Sequence, residues 1–497
     1  MPPVEANSSR EISFRWLLAL GAFATLIFFF SPAWSAFHLW SRVPALTGMI
    51  EVRRGASVLE QVAHPGAAIS DPLHAAIQWR LLFPVAGRAL HLPPAVLFAL
   101  AHVGALLTLA FLATVFRRAQ LGWTSTYLAL LCLGSASWFF TATGWLGYFD
   151  SWLALGLLLV AFSAVRWPLW LACLWTPWVD ERFVLAAPLA LYCRWLHRPE
   201  AFNLRRDFTA PAALVAGFVA IRLGVLSPHS ATGATATGYL TGKNFLDAPL
   251  PRIALGIWEG LRTGWLLALA GLITLWPHRP RAVVLAFSSA VLMFAGLATA
   301  QDYSRSMTML LPVAVLGLLV AVRTTTAGLT RALPFTALAA LLLPAHHVMN
   351  DRVNPIFYLY HELAAFDRPP PVAMSELYEL HAFHAMGRGE FAAAEAHLAL
   401  AITLARNPAS PAKQRGILAA SQQRWPDAHR DFSTMVDHDP KNPDAWFMRA
   451  QSNLALNQPA AARSDFDHAR LLAGADWSTR PDVARFLNRL NAPPGSK

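Results

Sequence analysis

The chain reads as all-α, a polytopic helical membrane domain followed by a soluble α-solenoid of helical repeats. Three observations predict this. Of 497 residues, 55% are hydrophobic and only 14% charged, whereas an ordinary soluble domain carries about 25% charged residues. The charge is also unevenly spread. Apolar runs of 16 to 24 residues recur from Trp16 to about Pro344, and the chain is polar from about Ser375 onward. Finally, the polar part repeats with a period of 34 residues. The expected division is a membrane domain at 1–348, a linker at 349–374, about three repeats at 375–476, and a capping helix with tail at 477–497.

Runs long enough for a ~30 Å hydrocarbon core fall at 14–34, 93–116, 122–143, 147–165, 208–226, 256–276, 282–300, 307–322 and 333–348, about nine full spans. The first lacks a clear small-residue cleavage site and reads as a retained span. The stretch 167–196 fits no single crossing. As one straight helix it would be roughly 44 Å long, and its apolar halves, 167–179 and 183–193, only about 20 and 16 Å. Arginine placement decides how it runs. With Arg10 and Arg15 in the cytoplasm, Arg117, Arg118 and Arg166 also fall inside, as the positive-inside rule requires. Arg194, Arg198, Arg205 and Arg206 stay inside only if 167–196 enters and returns as two short helices, broken near Pro177. Arg279, Arg281, Arg323 and Arg331 then follow. The net charge of +11 is therefore the loop arginine of a membrane protein, with lipid as a partner and no nucleic acid. The expected location is a cell inner membrane, multi-pass, with a cytoplasmic N-terminus and extracytoplasmic repeats.

This orientation gathers Asp71, Asp150, Asp302 and the triplet Asp180-Glu181-Arg182 at the outer face. A charge at the centre of a span costs about 2.5–3.5 kcal/mol, and intramembrane charges often line substrate paths. On a helix, sequence neighbours diverge and only residues three or four apart meet. The triplet is thus expected to find partners elsewhere, such as Arg222 or Arg262. In ISDPLHAAIQWR (69–80), Asp71, His74 and Arg80 precede an apolar helix. In QDYSR (301–305), Asp302 and Arg305 either pair on one turn or leave Arg305 facing a phosphate. Cys132, Cys173 and Cys193 sit in apolar runs and form no disulfide or zinc framework. The adjacent His346 and His347 diverge on a helix, so no metal site is expected.

In the tail, Phe391, Trp425 and Pro459 are 34 apart, as are Ala394, Ala428 and Ala462, Leu398, Phe432 and Phe466, and Ala382, Gly416 and Ala450. This period matches the tetratricopeptide repeat, with units at about 409–442 and 443–476, a looser one at 375–408, and a cap built on Val483, Phe486 and Leu487. Such arrays present a concave face to a protein or peptide and do no chemistry. Asp437, Asp439, Asp465 and Asp467 read as solvated helix ends.

With its acidic first outer loop (Glu51, Glu60, Asp71), DERF at 180–183 and DYSR at 302–305, the region 14–348 resembles the GT-C class of polytopic glycosyltransferases. The resemblance implies transfer of a sugar from a polyprenyl-phosphate donor at the outer face, with no other cofactor. It implies Asp71 as general base, with Glu51 and Glu60 as rivals, and Arg305 or Arg182 at the phosphate. Asp180 and Asp302 would complete the catalytic carboxylates by orienting the arginines or the acceptor. His74, Arg80, Glu181 and Asp150 would line the substrate site. The acidic pair that many members carry soon after the first span is absent. The competing reading is a non-catalytic membrane anchor whose repeats recruit envelope proteins. A transporter is disfavoured because the two halves show no internal duplication.

Overall fold

The computed structural model describes residues 8–30, 34–42, 50–67, 69, 77–226, 250–299, 302–324, 326–347, 352–353, 356–366, 374–387, 389–405, 407–473, 477 and 480–491. These are overwhelmingly helical, and the strand content among them is one two-residue bridge, His346–His347 against Arg352–Val353. The chain divides into two compact units, Met1–His38 with Met49–Phe366, and Leu39–Gly48 with Asp367–Lys497.

The first unit begins with α1 (Ser8–Phe30), the first part of α2 (Trp34–Arg42, which passes into the second unit at Leu39), α3 (Ile50–Ala63), α4 (Leu82–Ala89), α5 (Pro94–Arg118), α6 (Trp123–Gly134), α7 (Ser137–Gly144) and α8 (Asp150–Phe162). It continues through α9 (Trp167–Trp175), α10 (Arg182–His197), α11 (Ala210–Ile221), α12 (Leu250–Leu261), α13 (Gly264–Leu275) and α14 (Arg279–Thr299). A short α15 (Tyr303–Ser306), α16 (Leu311–Thr324), α17 (Thr326–Leu342) and α18 (Tyr358–Phe366) complete it.

Hydropathy predicts nine uninterrupted spans. Among the described residues five helices are long and apolar enough to cross a membrane: Arg10–Phe30, Pro94–Arg118, Leu204–Gly224, Gly264–Ala298 and Tyr303–Thr324. The pair α6 and α7, bent by 67°, makes a sixth if counted as one span. The difference lies in breaks that hydropathy does not register. Ser135 returns its hydroxyl to the Cys132 carbonyl (2.9 Å) at the α6–α7 corner, the kind of local bond that competes with helix continuation. All eight residues of α7 are buried as a result. The expected spans 256–276 and 282–300 fall largely on one helical run that passes through a 3-10 turn at Trp276–His278.

The 167–196 stretch does break, into α9, a 3-10 turn at Thr176–Trp178 containing Pro177, and α10. Both helices flank α8 but run in opposite directions along it. Trp175 meets Trp152 (5.6 Å between rings) near the start of α8. Arg182 reaches Asp150 at that same end, and Arg194 reaches the Ser163 carbonyl at the other. A proline cannot donate to the ladder and clashes with the preceding turn, which accounts for the break. The core is built from Phe116, Trp138, Phe139, Phe162 and Phe183, all fully buried. Large apolar side chains such as Leu17 (60% exposed), Phe287 (68%) and Phe335 (76%) point outward, as lipid-facing residues must.

The second unit holds α19 (Met374–Gly387), α20 (Phe391–Leu404), α21 (Ala409–Ser421), α22 (Trp425–His438), α23 (Pro443–Ala455), α24 (Pro459–Leu472) and α25 (Pro481–Asn491). The helices α20, α22 and α24 start 34 residues apart, as do α21 and α23. Buried Ala382 and Ala450 and buried Ala394, Ala428 and Ala462 let paired helices approach closely, and Gly416 faces the Phe432 ring. Phe486 of α25 packs on Phe447 and Phe466 at 5.3 and 5.5 Å. Asp465 is not solvated. It is buried and takes two hydrogen bonds from Arg449 (2.8 and 2.6 Å) and one from Asn453 (2.9 Å). The same Arg–Asp pair recurs one period earlier as Arg415 and Asp431, at 2.8 and 2.6 Å. These bonds hold the Arg415 and Arg449 guanidiniums above their ordinary pKa.

Candidate functional site

Four arginines and four carboxylates from separate segments converge at one end of α8. Asp150 heads α8, Asp180, Glu181 and Arg182 occupy the α9–α10 break, Asp302 and Arg305 flank the start of α15, Arg80 precedes α4, and Arg54 lies on α3. Asp150 is 1% exposed. It accepts from Arg182 Nη2 at 2.5 Å and from Arg305 Nε and Nη2 at 3.1 and 2.9 Å.

Asp180 is held as firmly. Its Oδ1 takes Arg182 Nε (2.9 Å) and the Arg182 backbone N–H (3.0 Å), and its Oδ2 takes Arg182 Nη2 (2.7 Å) and Arg80 Nη1 (2.6 Å). Glu181 receives Arg80 through two parallel bonds, 2.9 and 3.0 Å. The triplet therefore does neutralise itself in part, contrary to the expectation from helical spacing. Asp180 lies in the non-helical break, where residues two apart can meet. Nor does Asp180 pair with Arg262. That side chain, fully buried, binds Glu259 (3.0 Å) and the carbonyls of Ala340 (3.0 Å) and Pro344 (3.1 Å), closing the end of α17.

Asp302 caps α15, accepting from the Ser304 hydroxyl (2.8 Å) and the Arg305 backbone N–H (3.4 Å). Its carboxylate is 3.9 Å from Arg305 Nε, because the guanidinium turns to Asp150 instead. Both arms of the expected alternative, a tight Asp302–Arg305 pair or an arginine left open to phosphate, give way to a third arrangement.

Arg54 stands apart. It is 7% exposed and makes no ion pair among the described residues. Its Nε donates to the Gly147 carbonyl (3.1 Å), and its guanidinium lies 4.2 Å above the Tyr148 ring, which Arg305 also approaches at 4.5 Å. Gly147 has φ +79°, and a Cβ there would sit 3.0 Å from the Arg54 backbone, so glycine is required for this contact. Arg54, Gln61, Arg80, Phe149 and Asp180 border a cavity of about 10 Å³, room for one water-sized group. Gln61 donates to the Ile77 carbonyl (2.6 Å), while its buried Oε1 has no partner among the described residues.

The structure thus brings together Arg80, Asp150, Asp180, Glu181, Arg182, Asp302 and Arg305. Asp71 and His74 lie outside the described residues. Glu51 is on α3, where its carbonyl accepts from Leu146 N–H (2.9 Å), and Glu60 lies on the same helix. Sequence reasoning missed Arg54 and Gln61. A signal existed for the first: in the orientation expected from the loop arginines, Arg53-Arg54 falls on the side that the positive-inside rule leaves poor in arginine. No group of three or more metal-ligating side chains occurs among the described residues. No protein-family model matches the chain, and no curated protein or solved structure is significantly similar to it. What these observations define is a helical membrane protein with a buried, arginine-rich cluster.

Proposed function

We propose that the protein is a GT-C-like glycosyltransferase of a bacterial inner membrane, using a polyprenyl-phosphate sugar at the outer face, with a tetratricopeptide array outside the membrane as a protein-binding module. The observation that carries this reading is Arg54. A buried guanidinium with one carbonyl and one ring as its partners among the described residues is a ready receptor for a phosphate, and arginine suits phosphate through its planar fork of donors. Arg182 and Arg305 are less suited to that task than the sequence suggests, since Asp150 already engages both. Asp150, Asp180 and Glu181 act as positioning residues that hold the arginines.

In the proposed reaction an acceptor hydroxyl attacks the anomeric carbon of the sugar. The new C–O bond forms as the bond to the polyprenyl phosphate breaks, and the hydroxyl proton passes to a carboxylate base, for which Asp71 is the first choice. Arg54 stabilises the charge that develops on the departing phosphate. Transfer of radiolabelled sugar from a polyprenyl-phosphate donor by the purified protein tests this. Asp71→Asn and Arg54→Gln should each abolish or sharply reduce transfer while leaving expression unchanged. Full activity in both variants would refute the assignment.

One observation favours the scaffold reading instead. Asp150, Asp180 and Glu181 are all engaged by arginine, so the cluster serves equally as a clamp between helices. Under that reading, deleting the tail abolishes the cellular phenotype, whereas Arg54→Gln does nothing.

A further inference from the structure

A second polar feature lies at the far end of the first unit's long helices. The span in α1 opens at Arg10, and α5 closes on Arg117 and Arg118. The two helices run antiparallel, the start of α1 against the end of α5, with Phe23 meeting His102 further along (6.5 Å). Between them lies a groove of about 190 Å³ lined by Ile12, Arg15, Trp16, Leu107, Phe111 and Thr114. Ala110 completes the lining and contributes only a methyl group.

The groove is apolar along its length and basic at its mouth. Arg10 and Arg15 lie on the first turns of α1 and Arg117 and Arg118 on the last turn of α5, and Arg15 Nη2 holds Glu11 at 2.8 Å. Arg117 lies over the Trp123 ring at 3.8 Å. Among the described residues, the Nε groups of Arg15 and Arg117 are buried without an acceptor, and leaving a buried donor unmade carries its full desolvation cost. Ile12, Phe14 and Leu17 around the mouth are more than half exposed, so this face is turned to lipid.

We propose that the groove holds one anionic phospholipid of the surrounding bilayer. Its acyl chain lies over Ala110 between α1 and α5, and its phosphate accepts from Arg15 with Arg10 and Arg118 around it. Basic pockets between membrane helices suit anionic headgroups, and Arg15 is the charged residue among those that line the groove. The site depends on the membrane character of the chain and not on the proposed transferase activity.

Native mass spectrometry of the full-length protein, released from bilayers of equal parts phosphatidylcholine and phosphatidylglycerol, tests it. One phosphatidylglycerol per chain should remain bound in preference to phosphatidylcholine. Arg15→Gln should lower its retention by about tenfold, the effect of losing one charge-assisted bond. Ala110→Leu, which fills the groove, should lower retention of both lipids. Arg279→Gln, an exposed arginine at another helix end, should change nothing. Equal retention of the two lipids, an equal loss in all three variants, or a wild-type protein that retains none would each overturn the proposal.

Discussion

Asp150 and Arg305 are separated by 155 residues yet meet through two bonds, Nε to Oδ1 at 3.1 Å and Nη2 to Oδ2 at 2.9 Å. Arg182 shares the same carboxylate, so one side chain fastens α8, α10 and α15. Removing a partner from a buried ion pair costs about 3–5 kcal/mol, because the remaining charge is left uncompensated. Asp150→Asn strands two guanidiniums at once. The expected outcome is a large fall in the thermal unfolding midpoint of the solubilised protein. An unchanged midpoint would mean that water or another carboxylate compensates the arginines, and that α8 is not held by this pair.

Arg54→Gln should behave in the opposite way. Arg54 has no ion pair to lose among the described residues, so its replacement is expected to cost about 1–3 kcal/mol for the bond to the Gly147 carbonyl, less than the loss of a buried ion-pair partner. Its binding of a short-chain polyprenyl phosphate, followed by intrinsic fluorescence or calorimetry, should fall by at least about tenfold, as expected for a lost charge-assisted contact. The contrast with Asp150→Asn separates a ligand-facing arginine from a structural one. If both variants unfold early and bind equally well, Arg54 is a structural residue and does not face the ligand.

The grouping of Asp180, Asp302 and Asp150, all within 4 Å of Arg305, was legible in the sequence as helix ends that the loop arginines are expected to set on one side. The pairing within the group was not. Helical spacing forbids an Asp180–Arg182 contact, and it forms only because Pro177 and the residues after it leave the helix. Nor does periodicity separate a 25-residue helix such as α5 from the bent pair α6 and α7, since the corner is made by a serine hydroxyl and not by a loss of hydrophobicity. The 34-residue period placed the helix starts of the tail well, because small residues must recur wherever two helices touch. It said nothing of the buried Asp465, whose partner, Arg449, lies 16 residues earlier on the neighbouring helix.

A third expectation concerns α13 and α16, which cross at Gly271 and Gly317. A Cβ on Gly271 would fall 2.2 Å from Gly317 Cα, and one on Gly317 would fall 2.1 Å from the Leu267 carbonyl oxygen. Backbone is on the far side of both contacts, so no rotamer change makes room. Close packing of small residues is a main source of helix association in lipid. Gly271→Leu should force the helices apart and lower the unfolding midpoint markedly, whereas Gly217→Leu, with nothing within 4 Å, should be tolerated. Comparable stability of the two variants would contradict the crossing.

The last expectation comes from a substitution within the repeat itself. Arg415–Asp431 and Arg449–Asp465 occupy equivalent places in successive helix pairs, each closed by two bonds of 2.8 and 2.6 Å. One period earlier the same places hold His381 and His397, whose rings stack at 5.2 Å. Two rings stand here in place of a guanidinium–carboxylate pair, so α19 and α20 are expected to open more readily than α23 and α24. Hydrogen exchange on the full-length protein reads this directly, because local opening sets amide protection. Arg449→Ala leaves Asp465 buried with Asn453 as its remaining partner. It should raise exchange across 443–472, corresponding to a loss of about 1–3 kcal/mol. The double substitution His381→Arg with His397→Asp installs the missing pair and should slow exchange across 374–404. Faster or unaltered exchange there would show that the stacked histidines already hold the first pair as tightly as an ion pair would.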